Sequence, residues 1–435
     1  MRKTYKVLFL VENAPIPGDP RVWNEAVALR DAGYKVSIIA PHSPAQPLLA
    51  KYSLMSGINV YRFKLLEAQN NYLKYLFEYS FALWSIFWLS LKVWRRHGFD
   101  VLHVANPPDI FFLLALFYGC FGKKFVFDQH DLSPELCQVL LRGRAGFLYC
   151  LLRVMERCSY RLAHLVIVTN ESFRRLALER GRSPAQKVFV VRNGPDLADF
   201  KADTRPAKPF FPHRKKYILA YAGVMGKQDG VEYALYALHY LIHIYRQRDV
   251  SAVFIGHGSA RHRLQMLVKQ LELDEHVYFT GWLERPEVVS YLAHADIGLS
   301  PDPRNGLNEF CTMLKTMEYM ALGLPVVAFD LDETRAVLGE AALYAQPNSS
   351  ADFARLLARL LNCAELRHSM GIAGRRRVVE ELSWEHSRKN LLLAYATLFA
   401  GAKTITSEPS ACAPETLALA KSRDPDRVGE KCPDP

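Results

Sequence analysis

Short apolar runs alternate with helix-like segments along almost the whole chain of 435 residues, and the alternation occurs twice. The first set of runs is KVLFLV, KVSIIAP, DVLHVAN, KFVFDQHD, LVIVTN and VFVVRNG; the second is YILAYAG, SAVFIGHG, HVYFTGW, ADIGLSP and a last one near ALYAQ. Apolar runs separated by helical segments predict a parallel sheet covered by helices on both faces. The sequence therefore predicts two consecutive α/β domains.

A proline-containing stretch without periodicity, residues 201–214, marks a linker between them. We place the first domain at 1–200 and the second at 215–382, followed by a C-terminal helix over 383–401. Residues 402–435 are rich in Pro, Ser and charge, which is typical of a disordered tail. Open α/β sheets bind ligands beyond the carboxyl ends of their strands, so two such domains facing one another predict an interdomain cleft.

Positive charge is concentrated in the first half of the chain. The formal net charge is +11; residues 1–200 hold 26 Lys and Arg against 16 Asp and Glu, whereas residues 201–400 hold 24 against 22. This bias indicates an anionic partner for the first domain, either a membrane surface or a nucleic acid. A nucleic acid is disfavoured because the basic residues form no recognisable reading motif.

The chain ends and the cysteines favour a cytoplasmic protein. The N-terminus MRKTYKVLFLVENAP predicts a first strand instead of a signal peptide, because its apolar run is short and no small-residue cleavage site follows. The eight cysteines include no C-x-x-C pair and no metal-ligand spacing. We therefore expect a reducing compartment and no structural zinc.

Residues 72–97 depart from the α/β pattern, because YLKYLFEYSFALWSIFWLSLKVW is aromatic on most faces and is followed by Arg95, Arg96 and His97. The longest uncharged run, Tyr79 to Leu91, has 13 residues, short of the ~20 that a spanning helix needs. Two interpretations remain open: an amphipathic helix in a membrane interface, or a buried helix packed on the sheet.

Two glycine-rich loops and one helix stand at successive strand ends of the second domain. The loops are YAGVMGKQDG, residues 221–230, and IGHG, residues 255–258; glycines there let backbone amides approach a phosphate. The stretch TMLKTMEYMALGLPVVAF predicts a helix that begins near Thr312 and carries Lys315 and Glu318 on one face. The lysine can neutralise a diphosphate and the glutamate can bind ribose hydroxyls; the alternative is a surface ion pair between them.

Taken in order, these motifs resemble the family 4 glycosyltransferases of GT-B fold. The second half carries AGVMGKQDGVEYAL, FIGHG, HVYFTGWLERPEVVSYLAHADIGLSP and KTMEYMALGLPVVAFD, and the first half carries LVENAPIPGDPRVWNEAVALRDAGYKVSIIAP, FDQHDLSPEL and VRNGPD. The likeness covers roughly residues 5–399. It implies two facing Rossmann-like domains and transfer of a sugar from a nucleotide-diphosphate sugar to an acceptor, with retention of configuration and without a metal or other cofactor.

The resemblance also implies roles for individual residues. Glu318 matches the glutamate that holds the donor ribose, and His130 resembles a histidine near the transferred sugar, although it could also be a core histidine capping a strand end. With His130, the implied catalytic residues are Lys315 and Glu309. The other implied donor contacts are Gly223, Met225, Gly226, Lys227, Gly256, Gly258, Thr312 and Met313, and the acceptor side includes Asp19, Arg21 and Asp131, with Gly18 in the same loop.

Two departures from the family pattern stand out. The family's first glutamate of the longer motif falls on Phe310, so the adjacent Glu309 is expected to contact the donor sugar instead. Two family cations, an arginine and a lysine of the first glycine-rich loop, fall on Val224 and Asp229. Lys227 is nearby, and Lys315, the helix dipoles and the loop amides would then have to carry more of the diphosphate charge.

The acceptor, inferred from the basic first domain and from residues 72–97, is a saccharide or a lipid-linked saccharide at the cytoplasmic face of the inner membrane, in cell-surface polysaccharide synthesis. Two other classes stay open: a nucleotide-sugar epimerase of similar architecture and a non-catalytic nucleotide-sugar binding module.

Overall fold

A computed structural model describes residues 4–42, 50–64, 72–141, 143, 146–200, 209–212 and 214–399. The predicted tail 402–435 and most of the predicted linker 201–214 lie outside the described residues. The chain divides into two compact units. The first contains the chain up to Gly194 together with Asn305–Thr312 and Leu382–Leu398, and the second contains Pro195–Arg304 and Met313–Glu381.

The first unit is built on an eight-stranded sheet in the order β3-β4-β2-β1-β5-β6-β7-β8. All neighbouring strands are parallel except β3 and β4, which are antiparallel. The strands are β1 Lys6–Leu10, β2 Lys35–Pro41, β3 Tyr52–Met55, β4 Ile58–Phe63, β5 Val101–Ala105, β6 Lys124–Gln129, β7 Leu165–Val168 and β8 Val188–Val190. The helices are α1 Pro20–Asp31, α2 Tyr72–Arg96, α3 Phe112–Gly119, α4 Ser133–Leu140, α5 Gly146–Leu162 and α6 Glu171–Glu179.

The second unit is built on a six-stranded parallel sheet in the order β11-β10-β9-β12-β13-β14. Its strands are β9 Tyr217–Ala222, β10 Val250–Ile255, β11 Val277–Gly281, β12 Ile297–Ser300, β13 Val326–Phe329 and β14 Ala342–Ala345. Its helices are α7 Val231–His243, α8 Arg261–Gln270, α9 Arg285–Ala293, α10 Leu314–Ala321, α11 Asp332–Leu338, α12 Ser350–Asn362 and α13 Ala364–Arg377. The prediction of two α/β units with parallel sheets is confirmed.

The antiparallel hairpin β3–β4 was not predicted. Ser56 and Gly57 connect its strands, and both have positive φ values, 47° and 79°. A two-residue hairpin turn of type I′ needs positive φ at both positions, which Asn-Gly or Asp-Gly normally signals. The pair Ser-Gly gives a weaker signal, and β3 lies at the edge of the sheet, where few hydrophobic residues are required.

Residues 195–200 and 305–312 join a different unit from the one that the sequence suggested, and the C-terminal helix, which we had assigned to neither domain, joins the first unit. The final helix α14, Trp384–Phe399, returns to the first unit, where the Tyr395 hydroxyl contacts His103 Nδ1 at 2.7 Å. Residues 305–312, which we had placed within the second domain at 215–382, also belong to the first unit. Neither assignment follows from periodicity, because both depend on contacts between residues far apart in sequence.

The aromatic helix α2 has one buried and one exposed side. Ala82, Ile86 and Val93 are fully buried in the first unit's core, whereas Trp84 and Trp88 are exposed. The interpretation as a helix packed on the sheet thus holds for its buried side, and the membrane-interface interpretation stays a prediction for its exposed side. Within the described residues, no helix combines the length and the apolar character needed to cross a bilayer.

Candidate functional site

In the second unit, helix α10 presents its first turn beside the candidate donor residues. It begins at Leu314, two residues later than predicted, and in the described chain its N-cap residue Met313 provides no side-chain cap. The first backbone amides of a helix have no intrahelical acceptor and carry a partial positive charge, so they favour an anion. The helix ends at Ala321. Gly323 then has a φ of 70°, which a residue with a side chain adopts only at a cost, and the chain continues into β13.

Lys315, on this first turn, is held by a buried carboxylate. Its Nζ lies 2.6 Å from Asp302 Oδ1 and 5.0 Å from the centroid of the Tyr221 ring. Asp302 also accepts a hydrogen bond from the Ser300 hydroxyl at 2.6 Å. The ammonium group is therefore fixed in one place at the carboxyl end of β12.

Glu318, one turn further along α10, pairs with a residue that sequence reasoning missed. Arg285 Nη1 lies 2.5 Å from Glu318 Oε1, and Arg285 Nε donates to Asp199 Oδ2 at 3.1 Å. The guanidinium also lies 5.0 Å from the Phe200 ring centroid. Lys315 and Glu318 consequently have separate partners, and the surface ion pair between them that we considered is not the observed arrangement.

The glycine-rich loops are packed directly against each other. A Cβ added to Gly256 would lie 2.0 Å from the Gly223 carbonyl oxygen, and one added to Gly258 would lie 2.4 Å from that of Met225. The amide of Gly223 donates to Ile255 O at 2.9 Å, and that of Met225 donates to His257 O at 3.1 Å. These glycines therefore permit backbone-to-backbone packing, and the approach of loop amides to a phosphate stays a prediction.

Three further donor-loop residues differ in exposure. The Met225 side chain is fully buried in the second unit's core, so the structure gives this predicted donor contact a packing role. The Gly226 amide donates to Asp229 Oδ2 at 2.7 Å, whereas Lys227 is exposed. Burial raises the pKa of Asp229, and the charge of Lys315 opposes the increase. The Asp229 carboxylate thus accepts a hydrogen bond from its own loop, at the position where the family pattern has a cation.

In the first unit, His130 follows β6 and is held from two sides. Its backbone amide donates to Asn106 Oδ1 at 2.6 Å, and its Nε2 lies 2.6 Å from Asp128 Oδ2. The Asn106 Nδ2 group donates in turn to Asp109 Oδ1 at 3.0 Å and to the Asp131 carbonyl at 2.9 Å. The imidazole, with 11% of its side-chain surface exposed, is oriented through one ring nitrogen.

Asp128 belongs to a fully buried charge network. Arg21 Nη2 lies 2.7 Å from Asp128 Oδ1 and 3.2 Å from Glu25 Oε1. His103 Nε2 lies 3.3 Å from Asp128 Oδ2 and 3.5 Å from Glu25 Oε2. Burial opposes ionisation of Asp128, but Arg21 and His130 hold its pKa well below the usual range. Burial, reinforced by the charge of Asp128, raises the pKa of Glu25 well above the usual range.

The same network has the composition of a metal site. One ligand atom from each of Glu25, His103 and Asp128 lies within 4.8 Å of the others. The guanidinium of Arg21 already contacts both carboxylates. A second buried cation beside it would meet strong repulsion, so the cluster fits an ion-pair network better than a metal centre.

The residues predicted on the acceptor side meet near His130. Asp19 caps α1, where its Oδ1 accepts from the Val22 amide at 3.1 Å. Burial raises the pKa of Asp131, with His130 opposing and Asp19 adding to the increase. The Arg21 guanidinium is engaged by the carboxylates of the buried network and also donates to Val191 O at 2.6 Å. It therefore serves this region by supporting Asp128, while Asp19, His130 and Asp131 lie together.

The segment that departs from the family motif is anchored in the first unit. The Phe310 side chain packs against that unit's hydrophobic core, which explains an aromatic residue at this position. Asn170 Nδ2 donates to Phe310 O at 2.8 Å and to Thr312 Oγ1 at 3.1 Å. The sugar-binding role of the adjacent Glu309 stays a prediction.

Sequence reasoning missed six functional candidates, each of which left a weak signal. Four interrupt or end apolar runs, so that burial with a polar partner could have been suspected: His103, Asn106, Asp128 and Asp302. Glu25 lies on the apolar side of α1, and Arg285 lies in the WLERPE motif without any periodic cue.

The chain matches two described families, one in each half. Residues 19–194 match the family described as "Glycosyl transferase 4-like domain", and residues 203–377 match the family "Glycosyl transferases group 1". The chain is therefore a glycosyltransferase. It belongs to family 4, whose fold is GT-B.

Two curated relatives have defined activities. A protein of Mycolicibacterium hassiacum named "MMP alpha-(1->4)-mannosyltransferase" is 25% identical over 57% of this chain and 57% of its own length. The "Phosphatidyl-myo-inositol mannosyltransferase" of Mycolicibacterium smegmatis is 25% identical over 88% of this chain and 91% of its own length. Both are hexosyltransferases by name, which agrees with the family.

Solved structures confirm the fold. Sucrose-phosphate synthase from Thermosynechococcus elongatus has a TM-score of 0.75 at 18% identity, covering 91% of this chain and 99% of that one. The Anabaena protein HepE in complex with UDP-glucose has a TM-score of 0.65 at 15% identity, covering 90% and 99%. At these identities the likeness concerns the fold alone.

Proposed function

We propose that this glycosyltransferase moves a sugar from a nucleotide-diphosphate sugar to a saccharide or lipid-linked acceptor, with retention of configuration and without a metal. The observation that carries the proposal is the first turn of α10, where Met313 provides no side-chain cap and Lys315 stands one turn before Glu318. On this proposal a diphosphate binds at the helix N-terminus and a ribose binds beside the Glu318 carboxylate.

The chemistry explains why such a site is needed. Sugar transfer passes through a transition state with oxocarbenium character, while negative charge grows on the departing diphosphate. Amides and an ammonium group that are fixed before the reaction stabilise this charge without reorganisation. Asp302 fixes Lys315 in this way, and Arg285 orients Glu318. In a retaining reaction of this type, the leaving phosphate oxygen takes the acceptor's proton on the same face of the sugar.

The first unit supplies the acceptor side of the proposal. Asp19, His130 and Asp131 lie together there, with His130 oriented by Asp128. The lipid-linked acceptor is supported by the basic first half of the chain and by the name of the relative that mannosylates phosphatidyl-myo-inositol. On this proposal the protein works peripherally on an anionic membrane, at its cytoplasmic face, in cell-surface polysaccharide synthesis.

The test is to incubate the purified protein with a panel of nucleotide sugars and to measure release of the nucleoside diphosphate with and without candidate acceptors. The proposal expects release that depends on an acceptor and persists in excess EDTA. Lys269→Met, a change of an exposed lysine on α8, is the matched control for variants of Lys315.

Two outcomes would replace the proposal. An epimerised donor without release would indicate a nucleotide-sugar epimerase, and binding of the nucleotide sugar without turnover across the panel would indicate a binding module.

A further inference from the structure

The first unit exposes a contiguous apolar surface formed by α2 and α3, which we call the α2–α3 face. Its exposed members are Trp84, Trp88, Leu113, Leu116, Phe117 and Phe121. The ring of Phe87 joins the two helices, with centroid distances of 5.6 Å to Trp88 and 5.3 Å to Phe117. Phe117 continues the surface to Phe121 at 5.4 Å. A surface of this size on a folded unit indicates an interaction site, because water does not favour it.

A shallow groove of about 240 Å³ runs between the two helices on this face. Leu83, Phe87 and Leu114 line it, and Ser80 is the one polar residue among its lining residues in the described chain. Such a lining provides few hydrogen-bonding groups for a polar ligand and is suited to hydrocarbon chains.

Positive charge lies at one end of the α2–α3 face. The Trp94 ring contacts the Phe121 ring with a centroid distance of 4.8 Å, and Lys123 Nζ lies 5.7 Å from the centroid of the Trp94 ring. The last turn of α2 adds Arg95 and Arg96. Tryptophan rings followed by Lys and Arg match the boundary between acyl chains and anionic headgroups.

We propose that the α2–α3 face inserts into the interface of a bilayer containing anionic lipids, with Trp84 and Trp88 among the acyl chains and the basic end at the headgroups. The inference rests on the lipid-linked acceptor of the proposed function. Charge complementarity selects the bilayer as occupant: the first half of the chain is strongly basic, and Lys and Arg border the apolar residues on this face.

The test measures binding to vesicles of phosphatidylcholine, with and without phosphatidylglycerol, by co-sedimentation. The variant is Trp84→Ser with Trp88→Ser, two exposed side chains whose replacement leaves the core intact. Its matched control is Trp282→Ser, which removes an equally exposed tryptophan from the second unit. A second variant, Leu116→Ser with Phe121→Ser, changes α3 and the turn that follows it.

We expect wild type and Trp282→Ser to bind the anionic vesicles, and both double variants to bind roughly tenfold more weakly or worse. Brominated acyl chains should quench wild-type tryptophan fluorescence and quench Trp84→Ser/Trp88→Ser much less. Unchanged vesicle binding in both double variants would overturn the inference, and so would a wild-type dimer that these changes dissociate. Sugar transfer to a water-soluble acceptor should persist in both double variants. If the wild-type protein transfers sugar but does not bind vesicles, this inference alone is defeated. If the wild-type protein transfers no sugar, the proposed function is defeated.

Discussion

The Arg21 guanidinium is the positive centre of the first unit's buried charge network, and replacing it by methionine should destabilise that unit strongly. The side chain contacts the buried carboxylates of Asp128 and Glu25, and it donates to Asn193 Oδ1 at 2.7 Å and to a backbone carbonyl. Methionine fills similar space without charge, so Arg21→Met leaves Asp128 without its counter-ion. Removing one partner of a buried pair costs about 3–5 kcal/mol.

Native-state hydrogen exchange measures this loss in each unit separately. At about 1.4 kcal/mol per factor of ten, the amides of β1, β5 and β6 should exchange at least about 100-fold faster in Arg21→Met. Strands β9 and β10 of the second unit are the internal reference. Adding Asp128→Asn should recover part of the loss, because the double variant no longer buries an unpaired carboxylate.

Arg30→Met, on the same helix, is the matched control. Arg30 pairs with Asp31 at 2.6 Å near the surface, and exposed pairs contribute about 1 kcal/mol or less. If exchange in the first unit is no faster in Arg21→Met than in Arg30→Met, the network does not stabilise the fold as described.

Three further predictions concern the donor site and a buried acid. Lys315→Met should lower the transfer rate by about 100-fold or more, the order expected for losing one preorganised charge, while Lys269→Met should not change it. Glu318→Gln should act mainly on the KM for the donor in steady-state kinetics, because its proposed ribose contact is made before the transition state; an unchanged KM would remove that contact. Burial, with a contribution from Glu78, raises the pKa of Glu12 from 4.5 to about 8. The free energy of unfolding of the first unit should therefore fall as the pH rises between these values, by up to about 1.4 kcal/mol per pH unit. Hydrogen exchange measures this fall, and an equal fall in Glu12→Gln would refute the prediction.

Much of the fold was predictable because parallel strands buried on both faces are nearly continuous apolar runs. VLHVA and KFVFDQ read as strands despite His103 and Asp128, and both are strands. The β3–β4 hairpin was not predicted, because an edge strand is only half buried. The packing of α14 and of residues 305–312 in the first unit was not predicted either, because long-range packing leaves no periodic signal in the sequence.

The candidate site was only partly predictable from sequence. The positions of Lys315 and Glu318 on one helix follow from their spacing, but their partners Asp302 and Arg285 are distant in sequence and meet them only in the folded unit. The glycines of the donor loops were placed correctly at strand ends, yet Gly256 packs against Gly223 and Gly258 packs against Met225. A glycine in the sequence indicates that another group lies close to the backbone at that position, but the sequence does not identify that group.

The most direct test of sugar transfer with retention is to follow a donor labelled with ¹³C at its anomeric carbon by NMR, using the nucleotide sugar selected by the panel. The account predicts that the labelled signal moves to the acceptor, depends on Lys315 and Glu318, and keeps the anomeric configuration that it had in the donor. A label that appears in free sugar or in an epimerised donor, or that reaches the acceptor with inverted configuration, would contradict it.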